Sequence, residues 1–130
     1  MAEVYRNALP QGTILDTYQI DRTLGVGGFG ITYLVSDLAL GKAYAIKELL
    51  PDGIAVRLGG ETTVMARSTS AQEDFDATRK YFLAEARVLA GMNHPAVVSV
   101  YRLFEANGTC YIVMDYIEGD TLGNHLNKQG

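Results

Sequence analysis

A single cysteine, Cys110, stands in the 130 residues, so no internal disulfide can brace the fold. Its place between Thr109 and Tyr111 in a strand-forming run suits a small buried side chain rather than a reactive thiol. Basic residues are also few: 11 Lys and Arg against 15 Asp and Glu leave a formal charge of −4. That balance gives no basic face for neutralising phosphodiesters, so no nucleic acid partner is expected. No stretch approaches the roughly 20 apolar residues that span a bilayer. The first ten residues lack a basic region followed by an apolar run, and a cytoplasmic location is the expectation. His94 and His125 are the only histidines and Cys110 lies apart from both, so no metal site built from protein ligands is expected.

What is present suits one compact globular unit, with 48% apolar and 20% charged residues. Residues 1–17 carry a Pro10-Gln11-Gly12 turn signal and read as a lead-in segment that lies against the domain. Tyr18–Leu24 alternates apolar and polar, Ile31–Val35 is β-branched and aromatic, and glycines separate the two. A third strand spans Ala43–Leu50, broken by Pro51-Asp52-Gly53. Residues 54–67 fit either a small exposed hairpin or an ordered loop.

Ser70-Ala71-Gln72-Glu73 has the capping-box pattern and predicts a helix from residue 71. Phe75, Phe82, Ala86 and Leu89 fall on one face of it, and its end is expected near Gly91 to Asn93. Val97–Phe104 and Cys110–Tyr116 predict two more strands joined through Asn107-Gly108, a pair that accommodates positive φ. Thr121–Lys128 could form a short helix capped by Asp120. The layout is three strands, one helix, two strands.

Gly25-Val26-Gly27-Gly28-Phe29-Gly30 matches Gly-x-Gly-x-x-Gly, where missing Cβ atoms let backbone amides approach phosphate oxygens. In a dinucleotide-binding fold the motif should open a helix, yet a strand follows here. Gly30 is also not followed by the Lys-Ser/Thr pair of the other common phosphate loop. A strand-loop-strand flap remains.

With Ala45-Ile46-Lys47 following at third-strand spacing, the sequence resembles the protein kinase family. Glu85 lies at the edge of the sheet-facing side of the predicted helix, within reach of Lys47. The resemblance continues through Asn93-His94-Pro95 and the hinge-like Tyr111–Gly119, and it covers about residues 18 to 127. The wording around the glycine loop and Ala45–Pro51 looks like bacterial serine/threonine kinases. It implies an α+β fold, a five-stranded antiparallel sheet with one main helix: the amino-terminal lobe (residues 18–117), then a hinge exit and short helix (118–130).

The resemblance implies that Lys47 holds the α- and β-phosphates of ATP and that Glu85 fixes its ammonium. Gly25 through Gly30, with Val26 and Phe29, would cover the phosphates. Leu24 and Ala45 would sandwich the adenine, and Thr32 stands where the family most often has valine. Met114 would be the gatekeeper, backbone groups of Asp115 and Ile117 would meet the adenine edge, and Asp120 would reach the ribose or cap a helix.

The family's His-Arg-Asp and Asp-Phe-Gly motifs occur nowhere in the chain. Asp74-Phe75-Asp76 precedes Glu85 and is read as helix surface. The Mg²⁺ ligands are therefore expected in a carboxy-terminal lobe absent from this sequence, and the chain alone is expected to be inactive. The intact parent would phosphorylate protein substrates. The alternative is a stand-alone lobe acting as a nucleotide-binding or scaffolding module. An isolated lobe would expose the underside that normally meets its partner lobe, an apolar patch available for a homodimer or for strand exchange.

Overall fold

A computed structural model describes residues 7–58, 61–91 and 99–116. Six antiparallel strands form the main sheet: β1 (Ile14–Leu15), β2 (Tyr18–Val26), β3 (Gly30–Asp37), β4 (Lys42–Leu49), β7 (Val100–Ala106) and β8 (Thr109–Asp115). Their order is β1-β2-β3-β4-β8-β7. Strands β5 (Ala55–Arg57) and β6 (Val64–Ala66) form a separate hairpin, which resolves the choice left open for residues 54–67. The main sheet has six strands where five are expected, because the lead-in segment contributes β1, pairing Ile14 with Gln19 and Leu15 with Tyr18. The stretch 118–130, with its expected short helix, lies outside the described residues, as does the Asn93-His94-Pro95 link.

The turns have local causes. The Asp37 carboxylate accepts from the amides of Ala39 (2.9 Å) and Leu40 (3.2 Å), and Gly41 follows at φ 67°, a left-handed conformation that costs glycine little. Asn107 (φ 54°) and Gly108 (φ 75°) close the β7–β8 hairpin with two left-handed residues, as a tight hairpin requires.

The sheet curls until its edges approach each other. Phe104 of β7 stacks on Tyr18 of β2 with ring centroids 6.2 Å apart, and Arg102 of β7 pairs with Asp16 at 2.7 Å. Inside the curl are Tyr18, Ile20, Tyr33, Val35, Tyr44, Ile46, Glu48, Tyr111 and Val113, all buried. Leu9 and Leu15 of the lead-in segment and Ala55 and Val64 of the β5–β6 hairpin join this core.

The opposite face of β4 and β8 meets helix α1 (Gln72–Ala90). Phe75, Phe82 and Ala86 are its buried residues, and each phenylalanine removed from water contributes about 1.5–3 kcal/mol. The expected capping box is not what starts this helix. A single 3₁₀ turn (Thr69–Ala71) precedes it, and the Ser68 hydroxyl accepts from the Ala71 amide at 3.2 Å. Ser70 instead shares a hydrogen bond with Ser68. The cap thus sits two positions earlier than the pattern indicates, because the first turn is wound more tightly than an α-helix. The helix ends at Ala90, with Gly91 amide-bonded to carbonyls of the last turn.

Candidate functional site

Lys47 belongs to β4, whose neighbours fix what surrounds it. Thr32 of β3 stands opposite Lys47, and Lys47 stands opposite Ile112 of β8. Leu34, Ala45 and Met114 form the next row toward the hinge. Directly opposed residues share a face of the sheet, so Thr32, Ala45, Lys47, Ile112 and Met114 all face the side away from the curled core. Leu24 falls in the register irregularity between Thr23 and Gly25 of β2. Val26 is exposed just beyond it, at the end of that strand.

Beneath this face lies a cavity of about 490 Å³. Lys47, Leu49, Ile112 and Met114 line it from the sheet, Phe82 and Glu85 from α1, and Phe29 from the glycine loop. Four residues singled out in the sequence, Phe29, Lys47, Glu85 and Met114, therefore meet around one space. Leu24, Val26, Thr32 and Ala45 lie outside this lining. Lys47 is half-buried and Glu85 exposed. The ion pairs among the described residues are Arg57–Glu48, Arg79–Glu105 and Arg102–Asp16; Lys47 and Glu85 do not approach within pairing distance.

The glycines divide into two kinds. A Cβ on Gly25, Gly27 or Gly28 would meet nothing within 4 Å, so these positions leave the loop surface open. A Cβ on Gly30 would lie 1.8 Å from the Glu48 carbonyl oxygen, so this glycine serves the close approach of two backbones. The loop is anchored by its carbonyls: Phe29 accepts from the Leu50 amide and Gly28 from the Asp52 amide, each at 2.9 Å. The Gly27 amide closes on the Gly30 carbonyl at 2.8 Å. The amides of Gly28 and Phe29 have no acceptor among the described residues.

At the hinge end, the Asp115 amide donates to the Ser99 carbonyl at 3.1 Å. Ile117 and Asp120 lie outside the described residues. Among the described residues, no group of three or more His, Cys, Asp or Glu is placed to hold a metal ion.

Residue 48 is a buried neighbour of Lys47 that motif reasoning passes over. Glu48 is fully buried inside the curl, where its carboxylate accepts from the Tyr33 hydroxyl (2.8 Å) and the Tyr111 hydroxyl (2.7 Å). It also pairs with both terminal nitrogens of Arg57. Burial raises the pKa of both tyrosines far above the usual value, and the Glu48 charge adds to it. For Arg57, burial opposes the charge, but hydrogen bonding and attraction from Glu48 outweigh it and the net shift is upward.

The protein kinase domain family matches residues 18–130, and the chain belongs to that family. It is 34% identical over 113 residues to the serine/threonine-protein kinase PrkC of Bacillus subtilis, covering 87% of this chain and 14% of that protein. It is 32% identical over 111 residues to the serine/threonine-protein kinase PknJ of Mycobacterium tuberculosis, covering 85% of this chain and 16% of that one. The chain thus spans about a seventh of these relatives' length. Its fold matches the solved apo form of PpkA-294 with a TM-score of 0.82 at 36% identity, over 95% of this chain and 43% of that one. The kinase domain of Mycobacterium tuberculosis PknI superposes with a TM-score of 0.57 at 26% identity, over 94% of this chain and 41% of that one. The curled sheet and single main helix are those of the amino-terminal lobe of a bacterial-type serine/threonine kinase domain.

Proposed function

We propose that this chain forms the ATP-binding half of a serine/threonine kinase active site, and that the complete protein transfers the γ-phosphate of ATP to protein hydroxyls. The observation that supports it is the meeting of Lys47, Glu85, Met114 and Phe29 around one cavity below the glycine loop. Bound ATP would supply the transferable phosphoryl group. Lys47 would hold its α- and β-phosphates, while the open surface at Gly25, Gly27 and Gly28 and the uncommitted amides of Gly28 and Phe29 would approach phosphate oxygens. Leu24, Thr32 and Ala45 would bound the adenine. Since the Asp115 amide is engaged by Ser99, a contact there would use the Asp115 carbonyl, with Ile117 and Asp120 completing the edge.

Glu85 would orient the Lys47 ammonium once α1 moves toward β4, because the two groups are not paired here. Mg²⁺ and the acceptor hydroxyl would be held by motifs that these 130 residues do not contain, so phosphoryl transfer by the chain alone is not expected. Calorimetric titration with ATP, with and without Mg²⁺, beside a folded Lys47→Ala variant tests the reading. A Lys47-dependent signal supports a preformed half-site. Absence of binding at millimolar ATP would favour a scaffolding role for this lobe.

A further inference from the structure

Arg57 lies in β5, on the excursion between β4 and α1, yet its guanidinium is buried in the curl of the main sheet with a side chain only 4% exposed. Every nitrogen is used. Nε donates to the Thr62 carbonyl at 3.0 Å, one terminal nitrogen to the Asn7 carbonyl and to Glu48 Oε1, and the other to Glu48 Oε2. The same carboxylate is held by Tyr33 of β3 and Tyr111 of β8. Those hydroxyls accept in turn from the Leu9 amide at 3.0 Å and the Asn107 side-chain amide at 2.9 Å. Glu48 is therefore fixed by two neighbouring strands, the hairpin and, through Tyr33 and Arg57, the lead-in segment.

We propose that Arg57 is a positioning residue for the nucleotide site, acting through Glu48 on the point where Lys47 leaves β4; this rests on the reading of Lys47 as the phosphate-binding lysine. Adjacent strand residues point to opposite faces, so clamping the Glu48 side chain on one face sets the direction of Lys47 on the other. The backbone is clamped at the same point. The Glu48 carbonyl packs against Gly30, the last residue of the glycine loop, and the Leu49 carbonyl accepts from the Thr109 hydroxyl at 2.6 Å.

The hairpin that carries Arg57 reaches the helix that carries Glu85 through one turn. The Val64 amide donates to the Asn107 carbonyl at 2.7 Å, and Arg79 of α1 donates to the Gly108 carbonyl at 2.8 Å. Lys47, the glycine loop and Glu85 are thus referred to a common frame built outside the cavity. A buried ion pair commonly gives no more stability than apolar residues of similar volume. Its geometric specificity, here a bidentate fork with every nitrogen engaged, is what an apolar replacement would lose.

The test uses the full chain with its lysines reductively ¹³C-dimethylated and the Lys47 resonance assigned from a Lys47→Arg variant. Arg57→Met, the double variant Glu48→Met/Arg57→Met and Tyr33→Phe are compared with the unaltered chain below their urea midpoints. The double variant separates positioning from stability, since it removes both charges together. The expected result is a displaced Lys47 methyl resonance in all three variants, and an ATP affinity reduced about tenfold in Arg57→Met and in the double variant, even where the double variant recovers the urea midpoint. A folded double variant whose Lys47 resonance and ATP affinity match the unaltered chain would overturn the proposal. Should both Arg57 variants fail to fold, Tyr33→Phe decides alone: an unmoved Lys47 resonance overturns it. Should the unaltered chain bind no ATP, the nucleotide reading fails for this chain, while the Lys47 resonance still decides the role of Arg57.

Discussion

Lys47 and Glu48 are consecutive residues of β4 that serve opposite faces of the sheet. The lysine lines the cavity under α1, and the glutamate is sealed among Tyr33, Tyr111 and Arg57 inside the curl. One strand therefore carries a lysine outward to the cavity and a structural anion inward, and substitutions at the two positions should separate cleanly.

Glu48→Ala or Arg57→Ala alone should cost about 3–5 kcal/mol, because each leaves a buried charge without its partner. Lys47→Ala should change stability by less than about 1 kcal/mol, since Lys47 is half-buried and takes part in no ion pair among the described residues. Urea unfolding midpoints check both statements. A Glu48→Ala variant as stable as Lys47→Ala would show that the buried cluster contributes nothing.

The glycines make a second contrast. Gly30→Ala drives a methyl group into the Glu48 carbonyl, 1.8 Å away. Neither backbone can yield without breaking the β3–β4 ladder, so the loss should reach or exceed the roughly 1–3 kcal/mol of ordinary overpacking. Gly28→Ala meets open space and should leave the unfolding midpoint nearly unchanged. On the proposed nucleotide reading, its effect should fall on ATP affinity, read by calorimetry.

This contrast also marks what the sequence discloses. The strand pattern and the Asn107-Gly108 hairpin follow from alternation and turn chemistry, which are local signals, whereas Lys47, Glu85 and Met114 are singled out by the resemblance to kinases, which also supplies their roles. The six-residue glycine motif conceals two functions, because only tertiary contact distinguishes Gly30 from Gly28. Arg57 was hidden more deeply: in a short exposed-looking segment, an arginine reads as surface, and its carboxylate partner is nine positions away in another element. Alternation held one clue. Tyr44, Ile46 and Glu48 share a face, so an apolar row ends in a carboxylate that must find a buried partner.

At the sheet edges, Asp16–Arg102 is a partly exposed pair at 2.7 Å, and such pairs contribute about 0–1 kcal/mol. Asp16 also has φ 60°, so Asp16→Asn, which tolerates the left-handed region, is the informative change and should cost under about 1 kcal/mol. Arg102→Ala should cost more. Its guanidinium lies over the rings of Tyr18 (5.8 Å) and Phe104 (5.0 Å), and each such contact adds roughly 0.5–1 kcal/mol. Equal thermal shifts for the two variants would contradict this ranking.

High pH should unfold the protein from within. Burial pushes the Cys110 thiol from its ordinary 9.0 to about 11, and burial together with the Glu48 charge carries Tyr33 and Tyr111 well above their ordinary 10.0. A group that holds its proton more tightly when folded stabilises the fold fully below its unfolded pKa. That contribution is lost as pH rises toward the folded value, since the unfolded chain then sheds a proton that the folded chain keeps. Stability should therefore begin to fall near pH 9.0, where unfolded Cys110 ionises, and steepen above 10.0 as the tyrosines join. Urea midpoints across this range, recorded with tyrosinate absorbance, give the check. Of the eight tyrosines, Tyr33 and Tyr111 should ionise only together with unfolding, and Cys110→Ala should flatten the first part of the decline. Free ionisation of Tyr33 or Tyr111 in the folded protein would mean that the carboxylate of Glu48 is not enclosed as described.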